Sequence, residues 1–218
     1  METILEFIKS LHSPEGMGDM IRSGGLLLLA IIVFAETGLL IGFFLPGDSL
    51  LITAGIFTST DGAGGLGILE LWPLLIVLSI CAVVGDQVGY FLGRKSGAMI
   101  FEKRDTFLFK KKHVIAAHKF YEKKGGRAII FARFVPILRT FVPFVAGVAK
   151  MNPANFTKYN AVGGVLWVFS MVLIGHKLGK TAWANHLHQI IIVVIFVSIL
   201  PMIISGLKAW LRPNLKKD

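Results

Sequence analysis

Cysteine is nearly absent: Cys81 stands alone in 218 residues, so no intramolecular disulfide can form and no thiolate metal site can be assembled. Catalytic signatures are missing too. There is no G-x-S-x-G, H-E-x-x-H, Walker A or dinucleotide-binding glycine pattern, and neither Ser49 nor Ser170 has a nearby His and Asp from which a triad could be built. A lipid-phosphate phosphatase needs an activated nucleophile, commonly His, beside its arginines; all six histidines fall outside the apolar segments. An enzyme is therefore not expected. His113, His118, His186 and His188 are loop histidines with no carboxylate or Cys to complete a site, so no metal and no cofactor is assigned. The N-terminal stretch METILEFIKSLHSPEG lacks a basic n-region and a small-residue cleavage site, which argues against a removable signal peptide.

Charged residues are also scarce, 17% against 54% hydrophobic, too few for an ordinary soluble domain and too many for a simple anchor. Apolar runs near the length that spans a hydrocarbon core of about 30 Å occur at Gly24 to Leu45, Trp72 to Leu92, Ala128 to Ala149, Tyr159 to Gly175 and Gln189 to Leu207. The chain reads as one all-α, multi-pass membrane domain. Its net charge of +10 does not point to nucleic acid, because most of the excess lies in one connector, 94–127. Eleven Lys and Arg stand there, Lys110, Lys111 and Lys112 among them, against Glu102, Asp105 and Glu122.

That connector and the tail 208–218, with Lys208, Arg212, Lys216 and Lys217, belong on the cytoplasmic side by the positive-inside rule. The connector also suits anionic head groups at that surface. With the tail inside, an even number of crossings must follow Leu92, yet three apolar segments remain. The segment at 128–151 is expected to be re-entrant, because Pro136 and Pro143 both interrupt helical hydrogen bonding. A second re-entrant hairpin is expected at 24–58, where Pro46-Gly47-Asp48 precedes a stretch too short to span alone. Spans are expected at 72–92, 159–175 and 189–207, after an amphipathic N-terminal segment at 1–23.

The two hairpins resemble each other. Phe34-Ala35-Glu36 precedes Pro46 at the interval at which Phe131-Ala132-Arg133 precedes Pro143. Later come Gly93-Arg94-Lys95-Ser96-Gly97 and Gly175-His176-Lys177-Leu178-Gly179. Opposite orientation of the two copies would give the inverted repeat of secondary transporters, with Glu36 and Arg133 as symmetry mates.

An ionisable side chain at mid-membrane costs about 2.5 to 3.5 kcal/mol on insertion scales, so Glu36, Asp48, Asp86, Arg133 and Arg139 each need a partner, a water-filled cavity or a function. Asp48 suits either a helix N-cap or proton handling. Arg133 and Arg139 are six residues apart, on different faces of a straight helix. A break at Pro136 would let both guanidiniums converge on a phosphate; alternatively both simply neutralise the acids as internal ion pairs. Gly85, Gly89, Gly93, Gly147, Gly163 and Gly164 read first as helix-packing positions.

Taken together, F-A-E-T-G-L-L with L-P-G-D-S-L-L, then G-D-Q-V-G-Y-F-L-G-R-K-S-G, then F-x-R-F-V-P-x-x-R-T-F-x-P-F-V-A-G resemble the DedA family of bacterial inner-membrane proteins, from about Gly24 to Gly179. The resemblance implies a flippase that returns undecaprenyl phosphate or a similar polyprenyl-phosphate lipid to the cytoplasmic leaflet for envelope synthesis, linked to proton motive force. It places the family's acidic pair on Glu36 and Asp48 and its arginine pair on Arg133 and Arg139; Asp86, Pro46, Gly47, Pro136 and Pro143 are read from the sequence itself as supporting residues. The implied partners are the phosphate lipid, anionic membrane lipids and protons; a homo-oligomer is admissible. A phospholipid scramblase, or a membrane scaffold acting through the basic connector, is the alternative.

Overall fold

The computed structural model describes residues 14–39, 47–59, 69–102, 126–181 and 189. All regular structure among them is helical: α1 Pro14–Gly38, α2 Gly47–Phe57, α3 Leu71–Glu102, α4 Arg127–Ala132, α5 Pro136–Val148 and α6 Pro153–Gly179. The expectations for residues 1–13, for Pro46, for connector residues 103–125, for the span at 189–207 beyond Gln189, and for the tail 208–218 lie outside the described residues.

Among the described residues, two helices are long and apolar enough to cross a bilayer. The apolar part of α3, Leu71–Ser96, has 26 residues and α6 has 27, so at 1.5 Å per residue each reaches roughly 40 Å. Both outrun the apolar runs read at 72–92 and 159–175, because polar ends continue each helix past the hydrocarbon. Asn152 caps α6, its side chain accepting from the amides of Ala154 at 3.0 Å and Asn155 at 3.3 Å, with Pro153 as the first helical residue. Helix α1 bends at Gly25, whose φ of 53° and ψ of −150° only glycine adopts cheaply.

The second hairpin breaks at one proline, not two. Helix α4 ends at Ala132, Val135 is extended at φ −111°, ψ 111°, and Pro136 opens α5; a residue preceding proline is pushed out of the helical region. Pro143 lies inside α5 and does not end it, which corrects the expectation that both prolines interrupt the segment.

Polarity is arranged inside out. Trp72, Ile76, Ile80 and Val84, spaced four apart on one face of α3, are exposed, as are Leu27, Ile31, Leu166 and Ile174, whereas Glu36, Asp86, Arg133, Arg139 and Asn160 are buried. An apolar exterior of this kind needs a lipid surround. The apolar core contains Leu50, Leu51, Leu74, Leu78, Trp167 and Val172, and a second cluster gathers Tyr90, Ile129, Ala146 and Phe156. Tyr90 stacks on Phe156 with ring centres 4.4 Å apart, and its hydroxyl donates to the Met151 carbonyl.

Contact registers give the chain directions. Thr157 and Asn160 of α6 bond to Gln87 and the Val83 carbonyl of α3, so α6 runs antiparallel to α3. On α6, Asp48 lies at Trp167, Gly55 at Val172 and Gly179 at Ile56, making α2 parallel to it. Gly89 lies at Pro143, Gly93 at Phe144 and Gly147 at Arg94, making α5 parallel to α3. Similarly, α1 follows α3 through Phe34–Gly85 and Gly38–Gly89, and α4 follows α6 through Gly126–Tyr159 and Ile130–Gly163. Helices α2 and α5 thus reverse α1 and α4 respectively, and each packs on the long helix of the other half. The two triplets, α1–α3 and α4–α6, are related by an inverted pseudo-twofold.

The pseudo-symmetry explains the repeated glycine pattern. Gly93 lies against the Phe144 carbonyl and Gly147 against the Tyr90 carbonyl; in the other half Gly175 lies against the Ile52 carbonyl and Gly55 against that of Val172. Backbone at these crossings leaves no room for a Cβ. At Gly89 the nearest neighbours to an added Cβ stand at 3.5 Å or more. Gly147→Ala and Gly93→Ala are therefore expected to lower the thermal midpoint in detergent, at an overpacking cost of about 1–3 kcal/mol. Gly89→Ala should hold or raise it, since alanine gains up to about 1 kcal/mol of helix propensity. Fluorescence-detected size exclusion after heating reads the order.

Candidate functional site

Both hairpins deliver their charges to one place. Glu36 sits near the end of α1, Asp48 in the first turn of α2, Asp86 at the middle of α3, Arg133 just past α4 and Arg139 in the first turn of α5. Helix α6 closes the site with Trp167. The break before Pro136 turns the chain, so that two arginines six residues apart reach the same aromatic ring. The Arg139 guanidinium carbon is 4.3 Å from the Trp167 ring centre and that of Arg133 is 5.9 Å, within cation–π range.

The pairing is specific. Arg139 forks between two carboxylates: Nη2 donates to Glu36 Oε1, and Nη1 donates to Asp48 Oδ1 at 2.7 Å. Asp48 Oδ1 also accepts from the Trp167 indole Nε1 at 2.8 Å. Arg133 instead bonds Asp86 Oδ2 and, at 3.0 Å, the Ala82 carbonyl of α3. Asp86 is thus the direct partner of one arginine. The five groups stand as internal ion pairs, three carboxylates against two guanidiniums, which leaves one formal negative charge. A charge pair this deep costs much to desolvate and is stable only when both members remain in place.

The backbone adds to the positive side. A Cβ at Gly47 would overlap the Glu36 carboxylate, so only glycine lets the first turn of α2 approach that group. Helices α2 and α5 both begin at the cluster, which brings two positive dipole ends onto it. Asp48 is the second residue of α2 and points its Oδ1 at Arg139 and Trp167. Room for Arg133 comes from Gly164, where a Cβ would meet Nη1. Arg133 Nε and Nη1 and Arg139 Nε have no hydrogen-bond partner among the described residues. These buried N–H groups are donors whose hydrogen-bonding capacity is unused among the described residues.

Trp167 carries no sequence signal of its own, since a tryptophan in an apolar segment raises no insertion cost. Asn160, fully buried and bonded to the Val83 carbonyl at 3.0 Å, is a polar clue on that stretch of α6. His176, read as lying past the apolar segment, is within α6, its Nδ1 2.7 Å from Thr58 Oγ1. No group of three or more His, Cys, Asp or Glu side chains suited to a metal occurs among the described residues.

Comparison with known proteins adds the following. Residues 45–177 match the VTT domain. The chain is 38% identical over 206 residues to Protein DedA of Escherichia coli K12, covering 93% of this chain and 91% of that one. It is 42% identical over 183 residues to an uncharacterized membrane protein of Mycobacterium tuberculosis H37Rv, covering 84% and 78% of the two chains. It is 33% identical over 155 residues to the inner membrane protein YqjA of Escherichia coli K12, covering 71% and 67%. No solved structure matches it.

Proposed function

The chain belongs to the DedA family of VTT-domain membrane proteins, and from that premise we propose that it is a flippase for undecaprenyl phosphate or a similar polyprenyl-phosphate lipid in the bacterial inner membrane. The observation that carries this reading is the convergence of Arg133, Arg139 and two helix N-termini in the interior of an apolar bundle. A phosphate monoester supplies the planar oxygen pairs that guanidinium forks bind, and the dipole ends add to the attraction. Discontinuous helices meeting within an inverted repeat are how secondary transporters hold anionic groups.

The ion pairs make the mechanism an exchange. Phosphate reaches Arg139 by displacing Glu36 and Asp48, and protonating either acid weakens its hold on the guanidinium. Phosphate binding and proton uptake therefore favour one another, and linkage makes the coupling reciprocal. Arg133, bonded to Asp86 and to the α3 backbone, is the fixed half of the clamp. The prenyl chain stays in lipid, beside exposed Phe131, Phe134 and Leu138 at the hairpin tip. In this topology both hairpins are re-entrant and the basic connector and tail face the cytoplasm.

Affinity for undecaprenyl phosphate, measured in detergent against undecaprenol, is expected to rise as pH falls through the range where the carboxylates take up protons. Arg139→Lys keeps the charge and loses the fork, so binding should weaken about tenfold or more, the effect of about 1.4 kcal/mol. Undiminished binding by Arg139→Lys would favour the reading in which the arginines only neutralise the acids.

A further inference from the structure

Trp167 is joined to the site by both of its chemical faces. Its ring lies under both guanidiniums, at 4.3 and 5.9 Å, while its indole N–H donates at 2.8 Å to the carboxylate oxygen that Arg139 Nη1 also holds. An indole has a negative π face and a positive edge, so this placement satisfies the cation and the anion together. The side chain is fully buried and packs in the apolar core with Val168 and Val172, so it cannot follow a moving partner. It is a fixed post between groups that must exchange.

Accepting the phosphate-lipid reading above, we infer that Trp167 is a positioning residue that keeps Asp48 hydrogen-bonded while Arg139 transfers from Asp48 to the lipid phosphate. The charged groups around Asp48 come from every packed element: Glu36 on α1, Asp86 on α3, Arg133 after α4 and Arg139 on α5, with the indole on α6. With phosphate absent, Asp48 has two donors. When Arg139 turns to phosphate, the indole N–H is the donor left to it among these groups, and the ring keeps the guanidinium in reach. Removing the N–H therefore costs the phosphate-bound state more than the free state. The loss appears in substrate affinity.

The test is a double-mutant cycle on undecaprenyl phosphate binding to the full chain in detergent, with undecaprenol as the control, across wild type, Trp167→Phe, Asp48→Asn and the double variant. Trp167→Phe should weaken binding about tenfold, the loss of one hydrogen bond to a charged group. In the Asp48→Asn background, where the indole meets a neutral amide oxygen in place of a carboxylate, the same change should have a clearly smaller effect. An equal loss in both backgrounds, or none in either, overturns the inference while leaving the phosphate reading intact. No binding by wild type overturns both. Should Trp167→Phe fail to fold, 3-benzothienylalanine at position 167 keeps the bicyclic shape without the N–H and must reproduce the same cycle.

Discussion

Arg139→Ala is expected to be the most damaging single substitution among the described residues, lowering stability by about 3–5 kcal/mol and abolishing transport. Glu36 and Asp48 would be left facing each other in the interior with their shared counter-ion gone. The stability loss and the transport loss have different causes and can be separated. Adding Glu36→Gln and Asp48→Asn to Arg139→Ala removes the stranded charge, so the triple variant should regain much of its thermal midpoint in detergent and still move no phosphate lipid. Recovery of transport with recovery of the fold would show that Arg139 serves only to neutralise its neighbours.

Glu36→Gln is expected to keep phosphate binding and to lose much of its dependence on pH. The carboxylate bonds one nitrogen of Arg139 and faces the first turn of α2, so a neutral isostere mimics the protonated acid and leaves Arg139 freer for phosphate. Binding near neutral pH should then match or exceed wild type, while the rise in affinity on acidification flattens. Coupled transport should fall steeply, because a site that cannot release its proton cannot reset. Titrating affinity against pH for both proteins tests this, and an unchanged profile in Glu36→Gln would remove Glu36 from the coupling.

The sequence was most legible where physics penalises a residue. Four ionisable side chains in apolar segments, with Asp48 just past the first of them, stand out by cost, and all five meet in one cluster. Pro136 was readable because it constrains the residue before it. Pairing was not readable, because it depends on which helices cross: Arg133 takes Asp86 and Arg139 takes both remaining acids only because α4 follows α6 while α5 follows α3. Pro143 misled, since a proline in an established helix withdraws one amide without forcing a turn. Trp167 was invisible, its role lying in an N–H that a hydrophobic reading ignores. The paired glycine patterns signalled a repeat, and the reason for them is visible only in the four carbonyls that Gly55, Gly93, Gly147 and Gly175 approach.

The central claim is that a buried arginine pair moves a phosphate lipid by exchange with protonatable acids. Its most direct test is transbilayer movement of undecaprenyl phosphate, beside a lipid with a neutral head group, in proteoliposomes with and without a pH gradient. Wild type should move the phosphate lipid selectively and faster under the gradient, and a folded Arg133→Lys/Arg139→Lys variant should not. Equal movement of both lipids, or movement indifferent to the gradient and to the arginines, would contradict the account.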